Sequence, residues 1–496
     1  MSKRPPPFRP VARSWGRGGV QSTLAVVSLL LLAATATAQS QPSESQPQSR
    51  PALASRLEKL LSGHPADTRI GLAVLAADSG RVLFAHDADT PLKPASLQKL
   101  LVTAAALERF GADFRYETRV YLQGSELWIV GAGDPSLGDD RVAERRGQKQ
   151  DQFIDDWTAA LRTRNVTELS GIVLDDTVFE PPGRHFDWPE DQSDRWYQAP
   201  VGGLNLNDNC LDINIKAAGG AIQLELQPNV PADWVHSRLK LGKRQRPVVR
   251  RPANQDAFEL SGTIVRGGAL PSVSVRQPTD FFGAALRHGF EQRGLTVRGS
   301  VVQQPLRAGS LPDDQLVATY TTPLPDILWR CNRFSQNLFG ECLLKTLAAY
   351  EPSGRRASDP GSWEAGRDVL CETLSRIGVD LDSATIRDGS GLSHYNRVTA
   401  SQFATLLYRM RTHRHADVFL ASLAEPGEPG SMAHRYDDPA LRGRLRGKTG
   451  TITGVRCLAG YLTRPDGTVL TFALLINGEA PASLLTEVSK AILAGE

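Results

Sequence analysis

An apolar helix early in the chain places the strongest constraint on the fold. Apolar residues run from Leu100 to Leu107, and they are bracketed by Pro94 and Gly111, residues typical of a helix start and a helix end. Ser96 and Lys99 are three residues apart at the start, so their side chains share one face. First-turn amides suit developing negative charge, and a desolvated lysine can deprotonate a serine. The stretch therefore predicts a nucleophilic serine.

The Ser-x-x-Lys pattern alone is weak, because it occurs by chance about once in a chain of this size. A second copy begins at Ser237 and ends at Lys240, and it is followed by the basic run from Lys243 to Arg246 instead of an apolar helix. We interpret this copy as solvated surface. For Ser96 by itself, a helix-start serine beside an exposed lysine is the competing interpretation, so neighbouring motifs have to decide.

The first 38 residues have the pattern of an export signal. Five basic residues precede an apolar run from Leu24 to Ala34, and Ala36 and Ala38 supply small residues for cleavage. We predict a signal peptide at 1–38, a flexible tail at 39–51 and a protein that is periplasmic or otherwise outside the cytoplasmic membrane. An uncleaved anchor is the alternative, although the apolar run is short for a membrane span.

Composition and charge limit the partners and cofactors that we expect this chain to bind. The chain has 496 residues, enough for two or three domains. Its formal charge of +3 becomes −2 once the five basic residues of the signal are removed. We therefore predict no nucleic-acid partner and at most a peripheral contact with a membrane. The nine histidines and five cysteines show no metal-ligand spacing, and we predict no metal and no cofactor. The odd number of cysteines leaves at least one thiol free, and buried thiols are expected.

Periodicity predicts an α+β fold whose main sheet comes from both ends of the chain. The chain opens with a helix and a two-stranded hairpin. The hairpin pairs with three closing strands to make one five-stranded antiparallel sheet that carries helices. The segments are Leu53–Leu61, Arg69–Leu75, Arg81–Ala85, Leu445–Thr451, Val455–Thr463 and Val469–Asn477. The stretch 117–307 is polar, punctuated by proline and rich in strands, so it is predicted as an inserted, mostly-β accessory region. The host domain is then 52–116 and 308–496.

Three further motifs lie in the closing part of the chain. Ser335-Gln336-Asn337 lies between helices, Lys448-Thr449-Gly450 lies on the first closing strand, and a glycine-punctuated loop runs from Asp388 to Ser393. Each motif alone has a plain explanation as a helix cap, a strand lysine or a turn. In this order after Ser96 and Lys99, however, they resemble the signature of penicillin-binding proteins and serine β-lactamases.

Four short sequence motifs narrow the resemblance to one branch of these proteins. They are Gly131–Pro135, Gly171–Asp176, Asn205–Asn209 and Asp388–Ser393. From about Ala52 to its end the chain resembles the D-alanyl-D-alanine carboxypeptidase/endopeptidase family, the class C low-molecular-mass penicillin-binding proteins. Ser335 follows Ser96 by 239 positions, a separation that fits accessory domains inserted at this point. The resemblance implies a penicillin-binding or serine β-lactamase-like transpeptidase domain.

The resemblance also implies catalytic roles. Ser96 attacks the carbonyl of a D-Ala-D-Ala-type bond, Lys99 accepts the serine proton, and Ser335 relays a proton to the leaving amine. Asn337 holds the substrate amide and orients Lys99. The partners implied are peptidoglycan stem peptides ending in D-Ala-D-Ala or DD-cross-links, with β-lactams as inhibitors.

Substrate binding is implied for a second set of residues. Lys448 supplies positive charge and, with Thr449 of the same Lys-Thr-Gly motif, binds the substrate carboxylate. The amides of Ser96 and Thr451 form the oxyanion hole. Asp176, in the inserted region, reaches toward a cationic side chain of the stem peptide. The set is Lys448, Thr449, Gly450, Thr451 and Asp176.

Two positions depart from the family pattern and leave the stem-peptide chemistry open. His394 stands where relatives often have arginine, and Thr453 where some have glutamine. Two alternative functions also stay open: a serine β-lactamase or esterase on the same fold, and a non-catalytic wall-binding or β-lactam-sensing module. A Ser-His-Asp hydrolase is disfavoured, because Ser96 has no identifiable histidine partner.

Overall fold

The computed structural model describes residues 52–218, 221–306, 311–436 and 438–495. The predicted signal peptide and the predicted tail lie outside these ranges. Among the helices within them, none has both the length and the apolarity that crossing a bilayer requires.

The described chain contains a long run of strands in its middle and a run of helices after it. The helices are α1 (Ala52–Leu61), α2 (Gln98–Phe110), α3 (Asp140–Arg145), α4 (Gln152–Thr163), α5 (Pro278–Gln292), α6 (Leu324–Arg333), α7 (Asn337–Ala349), α8 (Trp363–Arg376), α9 (Ala400–Arg411), α10 (Ala416–Ser422) and α11 (Leu484–Ala494). The strands are β1 (Arg69–Ala76), β2 (Val82–His86), β3 (Arg115–Gln123), β4 (Glu126–Val130), β5 (Glu168–Leu169), β6 (Gly171–Asp175), β7 (Cys210–Ala218), β8 (Ala221–Gln227), β9 (Val235–Ser237), β10 (Lys240–Leu241), β11 (Arg246–Arg250), β12 (Phe258–Ile264), β13 (Gly268–Ala269), β14 (Val273–Ser274), β15 (Thr296–Val297), β16 (Val301–Gln303), β17 (Leu316–Pro323), β18 (Leu445–Ile452), β19 (Val455–Thr463) and β20 (Val469–Asn477).

The main sheet joins the two ends of the chain, as predicted. Its order is β18-β19-β20-β1-β2 and every neighbouring pair is antiparallel. Strand β1 is buried on both faces, because Leu72 and Val74 pack toward α1 and α11, whereas Ala73 and Leu75 pack toward the helices around α2. Continuous apolar strands covered by helices on both sides thus form the core of the host domain.

The inserted region is built mainly from strands, also as predicted. Its largest sheet has the order β16-β6-β4-β3-β17, and two four-stranded sheets and one two-stranded sheet complete it. Helices α4 and α5 cover the five-stranded sheet through a second core that includes Trp157, Leu161, Phe282 and Leu286.

The last strand of this second sheet lies beyond the predicted C-terminal border of the insert. Strand β17 pairs antiparallel with β3 along its length, so the sheet continues to Pro323, immediately before α6. The predicted border at residue 307 therefore precedes the last strand of this sheet. The reason is that a strand's own residues do not specify which sheet it joins.

The cysteines form no disulfide. All five thiols are free; four are buried and Cys371 is partly exposed. In the part of the chain that the structure describes, no group of three or more metal-ligating side chains is placed to hold a metal ion.

Candidate active site

Ser96 lies in a short 3-10 turn, Ala95–Leu97, that leads directly into α2. Two glycines let other segments approach this turn. A Cβ on Gly391 would lie 1.8 Å from the Ala95 carbonyl oxygen, and one on Gly450 would lie 2.8 Å from the Pro94 carbonyl oxygen. The loop that contains Gly391 and strand β18 therefore pack directly on the backbone around the serine. This contact gives Gly450 of the Lys-Thr-Gly motif a packing role.

The Lys99 amine is buried beneath Ser96 and makes three polar contacts. Its Nζ lies 3.1 Å from Ser96 Oγ, 2.7 Å from Asn337 Oδ1 and 2.9 Å from the Ser390 carbonyl oxygen. The side chain is fully buried because α2 is apolar around it. Burial lowers the pKa of Lys99 to about 8, although the nearby Cys331, Glu341 and Asp388 side chains oppose the shift.

These contacts favour one arrangement of the neutral amine. A neutral amine has two N–H donors and one lone pair. Asn337 Oδ1 and the Ser390 carbonyl oxygen can only accept hydrogen bonds, so they occupy the two donors. The lone pair is then left for the Ser96 hydroxyl. In its neutral form Lys99 is therefore oriented to accept the Ser96 proton.

A second buried lysine lies on the other side of the site. Lys448 Nζ donates to Ser335 Oγ and to the Thr449 carbonyl oxygen, both at 2.7 Å. Burial, and then repulsion by Lys99, lowers the pKa of Lys448 well below its usual value. The two amines therefore disfavour being charged at the same time, which couples the Ser96 side of the site to the Ser335 side.

Asn337 is held by residues of the inserted region. Its Nδ2 donates to the Tyr197 carbonyl oxygen at 2.8 Å, and its backbone amide donates to Gln336 Oε1. Gln336 Nε2 in turn donates to Asp208, which also accepts a hydrogen bond from Arg330 at 2.8 Å. A chain of contacts therefore runs from the insert to the amide that binds Lys99.

The loop Asp388–Ser393 is fixed by two buried carboxylates. Asp388 accepts hydrogen bonds from the amides of Gly391 and Ser393 and from Trp188 Nε1. Glu341 accepts hydrogen bonds from the amides of Gly389 and Ser390, which holds the Ser390 carbonyl against Lys99. Burial, and next the Asp388 charge, raises the pKa of Glu341 to about 7.

Ser96 opens onto a cavity of about 480 Å³. The predicted residues that line it are Ser96, Ser335, Asn337, Thr449 and Thr451. Lys99 and Lys448 lie beneath the lining, bonded to its two serines. The structure thus brings together Ser96, Lys99, Ser335, Asn337, Lys448, Thr449 and Thr451. His394 and Thr453, the two departures from the family pattern, also line this cavity.

Asp176 is not brought into this cavity. Its carboxylate accepts a hydrogen bond from Thr279 Oγ1 at 2.6 Å, and it lines a separate cavity of about 550 Å³ that shares no lining residue with the first. The contact with Thr279 ties this carboxylate to the first turn of α5. The predicted role of Asp176 at the substrate therefore has no support from its position.

Several lining residues were not predicted from the sequence. Gln192, Trp196 and Tyr197 come from the insert, and Arg435 comes from the loop before β18. No local pattern marks them, because only the fold brings them near Ser96. Glu341 could have been found, since it lies four residues after Asn337 and so on the same face of α7.

Comparison with known proteins identifies the family to which the chain belongs. Residues 53–494 match the model of the D-Ala-D-Ala carboxypeptidase 3 (S13) family. The chain belongs to this family. The family predicted from the motifs is thereby confirmed, and the protein is a serine-type D-Ala-D-Ala carboxypeptidase.

Two curated relatives span nearly the same length. A D-alanyl-D-alanine carboxypeptidase of an Actinomadura species is 28% identical, over 99% of this chain and 93% of its own. The D-alanyl-D-alanine carboxypeptidase DacB of Haemophilus influenzae is 23% identical, over 86% of this chain and 89% of its own.

A solved structure supports the fold. Penicillin binding protein 4 (dacB) from Haemophilus influenzae superposes with a TM-score of 0.70 at 21% identity, covering 88% of this chain and 98% of that one. The predicted penicillin-binding type of fold with an insert is confirmed.

Proposed function

We propose that this member of the family hydrolyses peptidoglycan stem peptides that end in D-Ala-D-Ala, or DD-cross-links, through an acyl-enzyme on Ser96. The observation that carries the proposal is the 3.1 Å contact between Ser96 Oγ and Lys99 Nζ, made where Asn337 and the Ser390 carbonyl occupy the two N–H donors of the neutral amine. This contact supplies a nucleophile and a base at the floor of one cavity.

Acylation begins when neutral Lys99 takes the Ser96 proton as Oγ attacks the substrate carbonyl. The backbone amides of Ser96 and Thr451 receive the developing oxyanion, and preorganised donors of this kind stabilise it by about 3 kcal/mol each. Strand β18, which carries Thr451, is at the edge of the main sheet. An extended peptide could therefore lie along β18 by backbone pairing.

Departure of the terminal D-Ala requires a proton on its amine. Ser335 Oγ, 2.7 Å from Lys448 Nζ, would relay to the leaving nitrogen the proton that Lys99 took from Ser96, which returns Lys99 to its neutral form. Thr449 and the Lys448 amine, when charged, would bind the terminal carboxylate of the substrate. Water then attacks the acyl-enzyme with Lys99 again as base, which releases the shortened stem and restores Ser96.

A β-lactam would acylate Ser96 by the same attack. Its leaving nitrogen stays tethered to the acyl group, so it continues to occupy the space that the hydrolytic water needs. A related protein supports this expectation: penicillin binding protein 4 from Haemophilus influenzae has been solved in complex with a β-lactam. Because the substrate is in the cell wall, the proposal also requires export, as the predicted signal peptide provides.

Mass spectrometry with benzylpenicillin tests the proposal. Intact-protein and peptide masses are measured for the mature chain and for Ser96→Ala, which should keep its fold because only one hydroxyl is removed. The expected result is a persistent adduct on the Ser96 peptide that the variant lacks. Unchanged drug with no adduct on either protein would refute the acyl-enzyme mechanism. Rapid release of hydrolysed drug without an adduct would favour a β-lactamase.

A further inference from the structure

The small sheet formed by β9 to β12 has a strongly basic outer face. Between Val235 and Leu270 the chain has eight basic residues against two acidic ones, Asp256 and Glu259. Seven of the eight are exposed: Arg238, Lys240, Lys243, Arg244, Arg246, Arg250 and Arg266. We call this surface the cationic face. It contrasts with the negative formal charge predicted for the mature chain as a whole.

Strand register places the cations in rows on one side of the sheet. Lys240 and Arg246 both pair with Thr263 of the central strand β12, one from each side. Arg250 pairs with Glu259 on the same face. Residues directly opposite one another share a face, so cations flank a central strip of polar side chains. The two flanks are about 10 Å apart across the strands, and Arg246 and Arg250 are about 14 Å apart along β11.

The loop between β10 and β11 is held in place and extends the cationic face. Gln245 accepts hydrogen bonds from the amides of Val265 and Arg266 and donates to the Arg266 carbonyl oxygen. The Thr263 hydroxyl donates to the Arg244 carbonyl oxygen. These contacts keep several cations at one end of the sheet, although like charges repel.

Most of these cations have no carboxylate partner. Arg238 lies 3.6 Å from Glu259. In the described ranges, Lys240, Lys243, Arg244, Arg246, Arg250 and Arg266 make no ion pair within 4 Å. Elsewhere on the surface many arginines pair with neighbouring acids, as Arg287 does with Glu291. An unpaired, ordered array of this kind is suited to a polyanion.

We infer that the cationic face binds carboxylate-bearing peptidoglycan, as a second contact away from the Ser96 cavity. This inference rests on the proposed function, which names peptidoglycan as the substrate. Each uncleaved stem ends in a carboxylate, and each cleaved stem ends in a new one, so a strand of this polymer carries repeated negative charge before and after the reaction. The cationic face would hold the enzyme on the wall while successive stems enter the cavity.

The polar central strip and the inward-facing aromatic side chains favour a polymer over a membrane surface. The strip between the cations carries the Ser261 and Thr263 hydroxyls. The aromatic residues of the region face inward, since Phe258 is buried and Trp234 packs on Phe281. Surfaces that enter a bilayer interface commonly expose Trp or Phe beside their cations. Here the exposed apolar side chains are Leu241, Val248 and Val265, with no aromatic ring among them.

Cosedimentation with isolated, insoluble peptidoglycan tests the inference. The full mature chain is used with Ser96→Ala in every sample, so that turnover does not alter the wall. The test variant adds Lys240→Gln, Arg246→Gln and Arg250→Gln. The matched control instead adds Arg56→Gln, Lys59→Gln and Arg81→Gln, three exposed cations outside the cationic face. We expect binding to weaken about tenfold in the test variant and to stay within twofold in the control.

Two further measurements separate the possible partners. Peptidoglycan whose carboxylates have been amidated should bind the parent chain about tenfold less, and raised salt should weaken binding to untreated peptidoglycan. Equal binding of the test variant and the parent would overturn the inference, as would equal loss in the control. Sedimentation with anionic phospholipid vesicles but not with peptidoglycan would also overturn it and point to a membrane.

The proposed function can fail separately. The triple variant with Ser96 intact should cleave a soluble D-Ala-D-Ala peptide at the unaltered rate, because this peptide is too short to span both sites. If the unsubstituted chain leaves that peptide intact while the sedimentation result holds, the proposed function is wrong and the cationic face still binds the wall.

Discussion

The chain contains the Ser-x-x-Lys pattern twice, and the two copies differ in everything except their spacing. Ser96 and Lys99 span the entry to a buried helix, and the lysine is wholly inaccessible to solvent. Ser237 ends β9 and Lys240 begins β10, and both are exposed. The first lysine contacts its serine at 3.1 Å. The Ser237 hydroxyl instead accepts a hydrogen bond from the Leu239 amide.

The difference shows that desolvation, not spacing, allows the lysine of this pattern to act as a base. Removal from water disfavours the charged amine and so lowers its pKa, which for Lys99 gives a value of about 8. Water would solvate a charged lysine fully at the exposed copy. The same four-residue pattern therefore provides a base in one region and part of a cationic surface in the other.

The strongest test of this comparison replaces each lysine by arginine, which keeps its positive charge at neutral pH. Lys99→Arg should lower kcat/KM for a D-Ala-D-Ala peptide about 10³-fold, because an arginine does not release its proton at neutral pH and the general base is lost. Lys240→Arg should leave kcat/KM within twofold. Steady-state kinetics and thermal melts of both variants check this. Comparable losses in the two variants would contradict the assignment of the base.

The pH profile of acylation is the next largest effect. Lys99 must be neutral to act, and its pKa is about 8, so at pH 7 about one molecule in ten has the active form. The acylation rate with benzylpenicillin should rise about tenfold per pH unit below 8 and level off above it. Stopped-flow measurements from pH 6 to 9.5 check this. A rate that is flat, or that falls as pH rises toward 8, would contradict it.

Backbone packing near each copy offers a third comparison. Gly450→Ala should slow acylation about 30-fold, because its Cβ would be 2.8 Å from the Pro94 carbonyl oxygen and overpacking of this kind costs about 1–3 kcal/mol. Gly242→Ala is the matched control, since its Cβ would crowd the Thr263 side chain at 2.9 Å. Both variants should lose stability in thermal melts, but only Gly450→Ala should slow acylation. Equal acylation rates would show that β18 can move without disturbing Ser96.

The smallest predicted effect concerns the contacts from the insert. Asp208→Ala removes the acceptor of Gln336 and a partner of Arg330, and should slow acylation about tenfold and lower the free energy of unfolding by about 2 kcal/mol. Asp176→Ala, whose carboxylate lies in the other cavity, should leave acylation unchanged. Acylation rates and urea unfolding of both variants check this. Slower acylation in Asp176→Ala would restore its predicted role at the substrate.

Local patterns in the sequence were sufficient for the main elements of the fold. The hairpin β1–β2 was predicted from the strand-like segments Arg69–Leu75 and Arg81–Ala85, and Gly80 between them has the positive φ of +71° that a tight turn favours. The closing strands were predicted almost to the residue for the same reason. Short helices such as α10 were missed, because seven residues give too little periodicity to be recognised.

The sequence by itself determined the motifs, their order and the sheet made from both chain ends, because short-range periodicity, turn residues and motif spacing encode these features. Only the tertiary structure decided the pairing of β17 with β3, the hydrogen bond from Asn337 to the Tyr197 carbonyl oxygen and the separation of Asp176 from Ser96. These are contacts between residues far apart in the chain, and burial and pairing of this kind depend on how the whole chain closes around its cores.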